Sequence, residues 1–124
     1  MTTILVIEDN HSILENLVET LDYAGYTVLA ARNGEEGLTL AQANNPSIIL
    51  SDIIMPKLDG FAMLEALRAD PATAQIPVVF TTARADPESK KKGMALGVNH
   101  YIVKPFYTDD LLKTVKQALE EASS

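Results

Sequence analysis

Ile4-Leu5-Val6-Ile7-Glu8-Asp9 decides the fold: four consecutive apolar residues run straight into two carboxylates. A strand with one wet face alternates apolar and polar residues. An unbroken apolar run of this length is a strand covered on both faces. Similar runs recur at 27–30, 48–50, 78–80 and 101–103. The segments between them have helical spacing. In the first, Ile13, Leu17 and Leu21 repeat every four residues with Leu14 and Val18 beside them. Ser12 and Glu15 match a capping box there, and Gly25 suits the helix stop. A second, weaker helix is expected over 35–43, with Leu38 and Ala41 inward. A third carries Phe61, Leu64 and Leu67. Asp86-Pro87 opens a fourth that Gly97 ends. The last carries Leu111, Val115 and Leu119, with Asp109 and Asp110 in the first turn, where the helix dipole favours negative charge. Strand then helix, five times over, predicts an α/β fold: a doubly wound parallel sheet with helices on both faces. Residues 70–75 read as the one loop-like insertion.

Length and composition narrow the function. With 124 residues, 1–124 is expected to be a single domain with no output domain, since two would each be too small to bury a core. The chain's early end after the last helix suggests a free-standing protein. The absence of cysteine excludes disulfides, thiolate catalysis and thiolate-bound zinc. No apolar run approaches the ~20 residues that cross a bilayer. The N-terminus lacks a basic start and a small-residue cleavage site. A cytoplasmic protein with no membrane contact is the expectation. A formal net charge of −7 argues against direct binding of nucleic acid. Lys90-Lys91-Lys92 is the local exception. It reads first as a solvated helix face, with a docking patch for an acidic partner as the sharper reading.

In an open parallel sheet, ligands bind beyond the carboxyl ends of the strands. The first predicted strand ends in Glu8-Asp9, the third in Asp52, the fourth in Thr81-Thr82 and the fifth in Lys104-Pro105. Three carboxylates at one edge repel one another and call for a cation. Hard oxygen donors suit Mg²⁺, with Mn²⁺ as a substitute. Such a cation would orient an anionic phosphoryl group, Lys104 would add a compact positive charge, and a threonine hydroxyl could donate to a phosphoryl oxygen. A carboxylate can be the nucleophile. The residues thus point to Mg²⁺-dependent phosphoryl chemistry on an aspartate. His11 beside the acidic pair invites a metal-ligand reading, which the oxygen-rich setting and the presence of only one other histidine disfavour.

Val6-Ile7-Glu8-Asp9-Asn10, Ser51-Asp52-Ile53-Ile54-Met55-Pro56 with Asp59-Gly60-Phe61, Thr82-Ala83, and Tyr101-Ile102-Val103-Lys104-Pro105-Phe106 together resemble the response-regulator receiver family, over the whole chain. The resemblance implies a flavodoxin-like sheet of order 2-1-3-4-5. It implies that Asp52 is the phosphoacceptor, that Asp9 binds Mg²⁺ directly and Glu8 through water, and that the Ile54 backbone carbonyl is a further ligand. Lys104 would contact the phosphoryl group, with the bond to Pro105 cis. Thr82 would swing toward that group and Tyr101 turn into the space it leaves. Ile54 and Arg84 would flank it and influence its lifetime. The phosphoryl donor would be a histidine kinase or phosphotransfer protein. The readout would be the face of the fourth helix, fifth strand and fifth helix, and the protein a monomer or a phosphorylation-dependent dimer. Such a protein is a switch that promotes its own phosphorylation and dephosphorylation, not an enzyme acting on other substrates.

Three other readings compete. An aspartyl-phosphate phosphatase would want a second aspartate where Ile54 stands. A flavodoxin-like cofactor binder would want a phosphate loop where Glu8-Asp9 stands. A binding-only receiver would lack a site residue, and none is missing.

Overall fold

The computed structural model describes residues 2–83 and 86–123. Ten elements alternate: β1 (Thr3–Ile7), α1 (His11–Tyr23), β2 (Thr27–Ala31), α2 (Gly34–Asn44), β3 (Ile48–Ser51), α3 (Gly60–Ala69), β4 (Val78–Thr82), α4 (Pro87–Ala95), β5 (His100–Val103) and α5 (Thr108–Ala122). All pairings are parallel and the order is β2-β1-β3-β4-β5. This is the doubly wound sheet expected from the apolar runs. Among the described residues no helix is long and apolar enough to cross a membrane.

Burial follows strand order. Ile4 to Ile7 of β1, all of β3 and all of β4 are buried, whereas the edge strands β2 and β5 are mostly half-exposed. Alternation of side chains divides the core into two layers. Leu5, Ile7, Ile49, Val78 and Phe80 pack with α2 and α3. Ile4, Val6, Ile48, Leu50, Val79 and Ile102 pack with α1 and α5. The weak apolar face of α2 is compensated by close approach: a Cβ on Gly37 would lie 2.3 Å from Ile7 Cδ1, so only glycine lets this helix sit so near the sheet.

Some local expectations are corrected. Ser12 and Glu15 do not cap α1. Its N-cap is Asn10, whose Oδ1 accepts from the Ile13 amide at 3.0 Å. The Asn10 amide itself donates to Glu8 Oε2 at 3.1 Å, so the turn is fixed two residues before the capping-box match. In α5, Ala118 takes the deep position and Leu119 is half-buried. The 70–75 stretch is a turn folded back on α3: the buried Thr73 hydroxyl donates to the Leu67 carbonyl at 2.8 Å. Gly25 and Gly97 do close α1 and α4 with positive φ. The β3–α3 loop also carries an unannounced positive φ, 69°, at Lys57.

Arg68, in the last turn of α3, ties two loops, the α3–β4 and α4–β5 connections. Nη1 donates to the carbonyls of Ala74 (3.1 Å) and Ile76 (2.7 Å). Nη2 donates to the Gly97 carbonyl (2.8 Å) and Asn99 Oδ1 (3.3 Å). The Asn99 oxygen also accepts from the Val78 amide at 2.8 Å, which anchors the start of β4. We expect Arg68→Ala to cost about 2–3 kcal/mol, since hydrogen bonds from a charged donor are the stronger kind. Arg68→Lys should recover less than half, because an ammonium cannot match the planar fork. Urea denaturation midpoints of the two variants against wild type measure both.

Candidate functional site

The residues singled out at the strand ends are each held by one backbone hydrogen bond that extends a sheet ladder past its last pair. The Glu8 amide donates to Ala31 O at 3.0 Å, the Asp52 amide to Ile7 O at 3.0 Å, and the Lys104 amide to Thr82 O at 2.9 Å. Sheet register therefore aims these side chains before any side-chain contact forms. The loop after Asp52 is closed by Gly60, whose amide donates to Ile53 O at 2.7 Å.

At this edge Glu8, Asp9 and Asp52 each present an oxygen within 4.8 Å of the others. Glu8 is buried, Asp52 half-buried and Asp9 exposed. Lys104 reaches in from β5: Nζ lies 2.5 Å from Glu8 Oε1 and 3.1 Å from Asp52 Oδ2. Asp52 Oδ1 accepts from the Ile53 amide at 2.7 Å. Both Glu8 oxygens are thus taken by protein donors, Lys104 and the Asn10 amide. Burial pushes the Glu8 carboxyl up, against the pull of those two hydrogen bonds and of the Lys104 charge. For Lys104, burial works downward and is outweighed by its bonds to Glu8 and Asp52, so the ammonium is held above its ordinary value. Lys104 thus bridges the Glu8 and Asp52 carboxyl groups. The Lys104–Pro105 bond is cis.

The donor set fits a hard divalent cation. Three carboxylate oxygens converge, with the most exposed, Asp9, open to solvent for the waters such an ion keeps. Glu8 and Asp52 each have both oxygens engaged by protein donors, so the exposed Asp9 is the freest of the three. His11 takes no part: it is exposed and pairs with Glu15 at 3.4 Å. Ile54 lies beside the site with 59% of its surface exposed. Arg84 lies outside the described residues.

The two threonines differ in setting. Both are buried, and alternation puts Thr82 on the Phe80 face of β4 and Thr81 on the Val79 face. The Thr81 hydroxyl has no hydrogen-bond partner among the described residues. Tyr101 is already turned toward α4: its hydroxyl donates to the Ser89 carbonyl at 2.7 Å and its ring packs edge-on against Phe80. Burial, and then the Asp86 charge, push its phenol up, so it stays a donor. Two features escaped the sequence reading. Lys92 is not simply solvated but lies 4.6 Å from the centroid of Phe61, and Gly93 is moulded to Tyr101. The one signal for the second was a glycine inside a short helical segment.

Known proteins agree with this geometry. The response regulator receiver domain profile matches residues 4–116. The chain is 35% identical over 119 residues to PilH of Pseudomonas aeruginosa, covering 96% of this chain and 98% of that protein. It is 36% identical over 124 residues to the probable transcriptional regulator ycf27 of Porphyridium aerugineum, covering 98% of this chain and 50% of that protein. It therefore spans about half the length of several relatives it matches. The structure of the chemotaxis protein CheY4 of Vibrio cholerae superposes with a TM-score of 0.91 at 36% identity, covering 95% of this chain and 98% of that one. The chain belongs to the response-regulator receiver family and is a receiver domain of the two-component type. Receivers are signalling switches that work with histidine kinases or phosphotransfer proteins and bind Mg²⁺ at an acidic pocket.

The buried pair gives a stability prediction. Lys104→Met leaves Glu8 without its cation and should cost roughly 3 kcal/mol at neutral pH. Because the stranded Glu8 has its folded pKa raised above its unfolded value, its penalty is absent below the unfolded pKa and complete above the raised one. The deficit should therefore shrink as pH falls toward 4.5, the ordinary carboxyl value. Adding Glu8→Gln should recover part of it at pH 7. Chemical denaturation of wild type, Lys104→Met, Glu8→Gln and the double variant at pH 7 and 5 is the check; a deficit independent of both pH and Glu8 would contradict the ion-pair account.

Proposed function

We propose that Asp52 accepts a phosphoryl group from a histidine kinase or phosphotransfer protein, and that Glu8, Asp9, Thr82, Tyr101 and Lys104 serve that event. The observation that carries this is the convergence of Glu8, Asp9 and Asp52 around an ammonium supplied from β5. An Asp52 oxygen attacks phosphorus, an O–P bond forms, and the bond from phosphorus to the donor breaks with its electron pair leaving on the donor. The product is an acyl phosphate. Asp9, Asp52 and the Ile54 backbone carbonyl would hold Mg²⁺, with Glu8 acting through water. The ion, with Mn²⁺ as a substitute, would supply charge neutralisation and orientation of the phosphoryl oxygens. Lys104 is 3.1 Å from Asp52 before reaction, so it can follow the charge onto the new oxygens. The Thr82 hydroxyl would donate to one of them. Phosphorylation then favours one conformer of the β4–β5 edge, read by partners on the face of α4, β5 and α5. The same site would promote loss of the group to water. The single domain 1–124 would act in the cytoplasm.

Incubation with acetyl phosphate and Mg²⁺ should add one phosphoryl group, about 80 Da by intact mass, to wild type and none to Asp52→Asn. Failure with acetyl phosphate and with every kinase tried would overturn the acceptor role. A second expectation concerns charge. In EDTA, Asp9→Asn should melt slightly above wild type, by less than about 1 kcal/mol because Asp9 is exposed and well screened. Saturating Mg²⁺ should narrow or reverse the order, since it stabilises the protein that binds it. Wild type melting higher than Asp9→Asn in EDTA would show that the carboxylates do not repel appreciably.

A further inference from the structure

α4 is held differently from the other helices. α1, α3 and α5 bury runs of leucine, valine or methionine. α2 adds the partly buried Leu38 and Leu40 to its glycines. α4 buries only Ser89 and Gly93. Its one large apolar side chain, Met94, is 62% exposed, and Lys90 and Lys91 face solvent. Among the described residues its apolar anchors are Leu96 and Val98, just past the last turn. A helix without an apolar stripe gains little from packing and opens readily.

What meets α4 from α3 and the sheet is an aromatic ladder. Phe61 and Phe80 pack edge to face with centroids 5.7 Å apart, and Phe80 and Tyr101 follow at 5.5 Å. α4 touches both ends of it. Lys92 lies over Phe61, and the Tyr101 hydroxyl donates to the Ser89 carbonyl. Asp86 holds the same turn, accepting from the Ser89 amide and hydroxyl at 2.9 Å each. The Tyr101 ring fits only because residue 93 has no side chain. A Cβ there would lie 2.2 Å from the hydroxyl oxygen, 3.0 Å from Cζ and 3.2 Å from Cε2.

We propose that Tyr101 is the peg that fastens α4 to the sheet, in a seat cut by Gly93, and that α4 detaches as a unit when the peg is withdrawn. Two effects oppose each other at position 93, which makes the idea testable. Helix propensity alone says that Gly93→Ala should strengthen α4, by roughly fivefold in local equilibrium. The seat says that it should weaken α4, because the Tyr101 oxygen must be expelled. Residue 93 would then set the cost of unseating Tyr101. The inference does not depend on the phosphoacceptor reading.

The test is amide hydrogen exchange of the full chain for wild type, Gly93→Ala, Tyr101→Phe and the double variant. Gly93→Ala should speed exchange of α4 amides by about tenfold while β1 and β3 keep their protection. Tyr101→Phe should speed α4 exchange a few-fold through the lost hydrogen bond. Adding Gly93→Ala to Tyr101→Phe should do much less than adding it to wild type, since the atom at 2.2 Å is gone. Should Gly93→Ala fold poorly, Tyr101→Ala alone should still speed exchange selectively in α4. Slower α4 exchange in Gly93→Ala, equal effects in the two backgrounds, or acceleration spread evenly over the sheet would each overturn the peg.

Discussion

The contact on which the site depends is the bridge from Lys104 to Glu8, between residues 96 apart in sequence. It joins the end of β1 to the end of β5 across β3 and β4, and so works only if all four strands are in register. The energetics explain why register matters. A carboxylate buried as deeply as Glu8 is costly unless it is paired and hydrogen-bonded. A slip of one residue at β4–β5 would move Lys104 to the other face and strand that charge. The ladder bonds that position Glu8, Asp52 and Lys104 and the ion pair that joins them support one another: the backbone aims the side chains, and the charges penalise any other register.

Much of this was legible in the sequence because it rests on short-range rules. Unbroken apolar runs marked the strands covered on both sides, and polar residues at their ends marked the ligand edge. The resemblance to receivers then supplied strand order. The helix starts were less legible. Ser12 and Glu15 fit a capping box by spacing, but Asn10 caps α1 because the Glu8 carboxylate holds its amide, and that depends on where β1 ends. Lys57 gives no local sign of its positive φ, since the closing bond from Gly60 to Ile53 imposes the loop shape. The fit of Gly93 to Tyr101 involves two elements, and no pattern within either reveals it. Spacing also could not rank Thr81 and Thr82. The resemblance to receivers, through the Thr82-Ala83 pair, is what singled out Thr82.

The buried Thr81 hydroxyl shows the cost of this design. On the α1–α5 side of β4 its neighbours in the strand face are apolar, and its oxygen finds no partner among the described residues. A valine would fill that place without stranding a polar atom. Thr82, one residue on, faces the layer that holds Phe80 and the Tyr101 ring. Adjacent hydroxyls on one strand thus sit in different layers, and the one at Thr81 is a burden on stability.

The charges at the edge also explain why a lysine alone is not enough. Three carboxylates and one ammonium leave two negative charges among groups a few ångströms apart. Lys104 is committed to the two more buried carboxylates, so the deficit falls on the Asp9 side. A divalent cation there would bring the group to neutrality. Conversion of the Asp52 carboxylate into an acyl phosphate replaces one charge with a group carrying roughly −1.5 to −2. The site then becomes negative again, and hydrogen-bond donors that had no call on Asp52 gain one on the new oxygens. Thr82 would be one such donor, on the face of β4 that also carries Phe80 and, through it, Tyr101. A change of charge at the end of β3 would in this way pull on β4, the strand between Asp52 and the ring that supports α4.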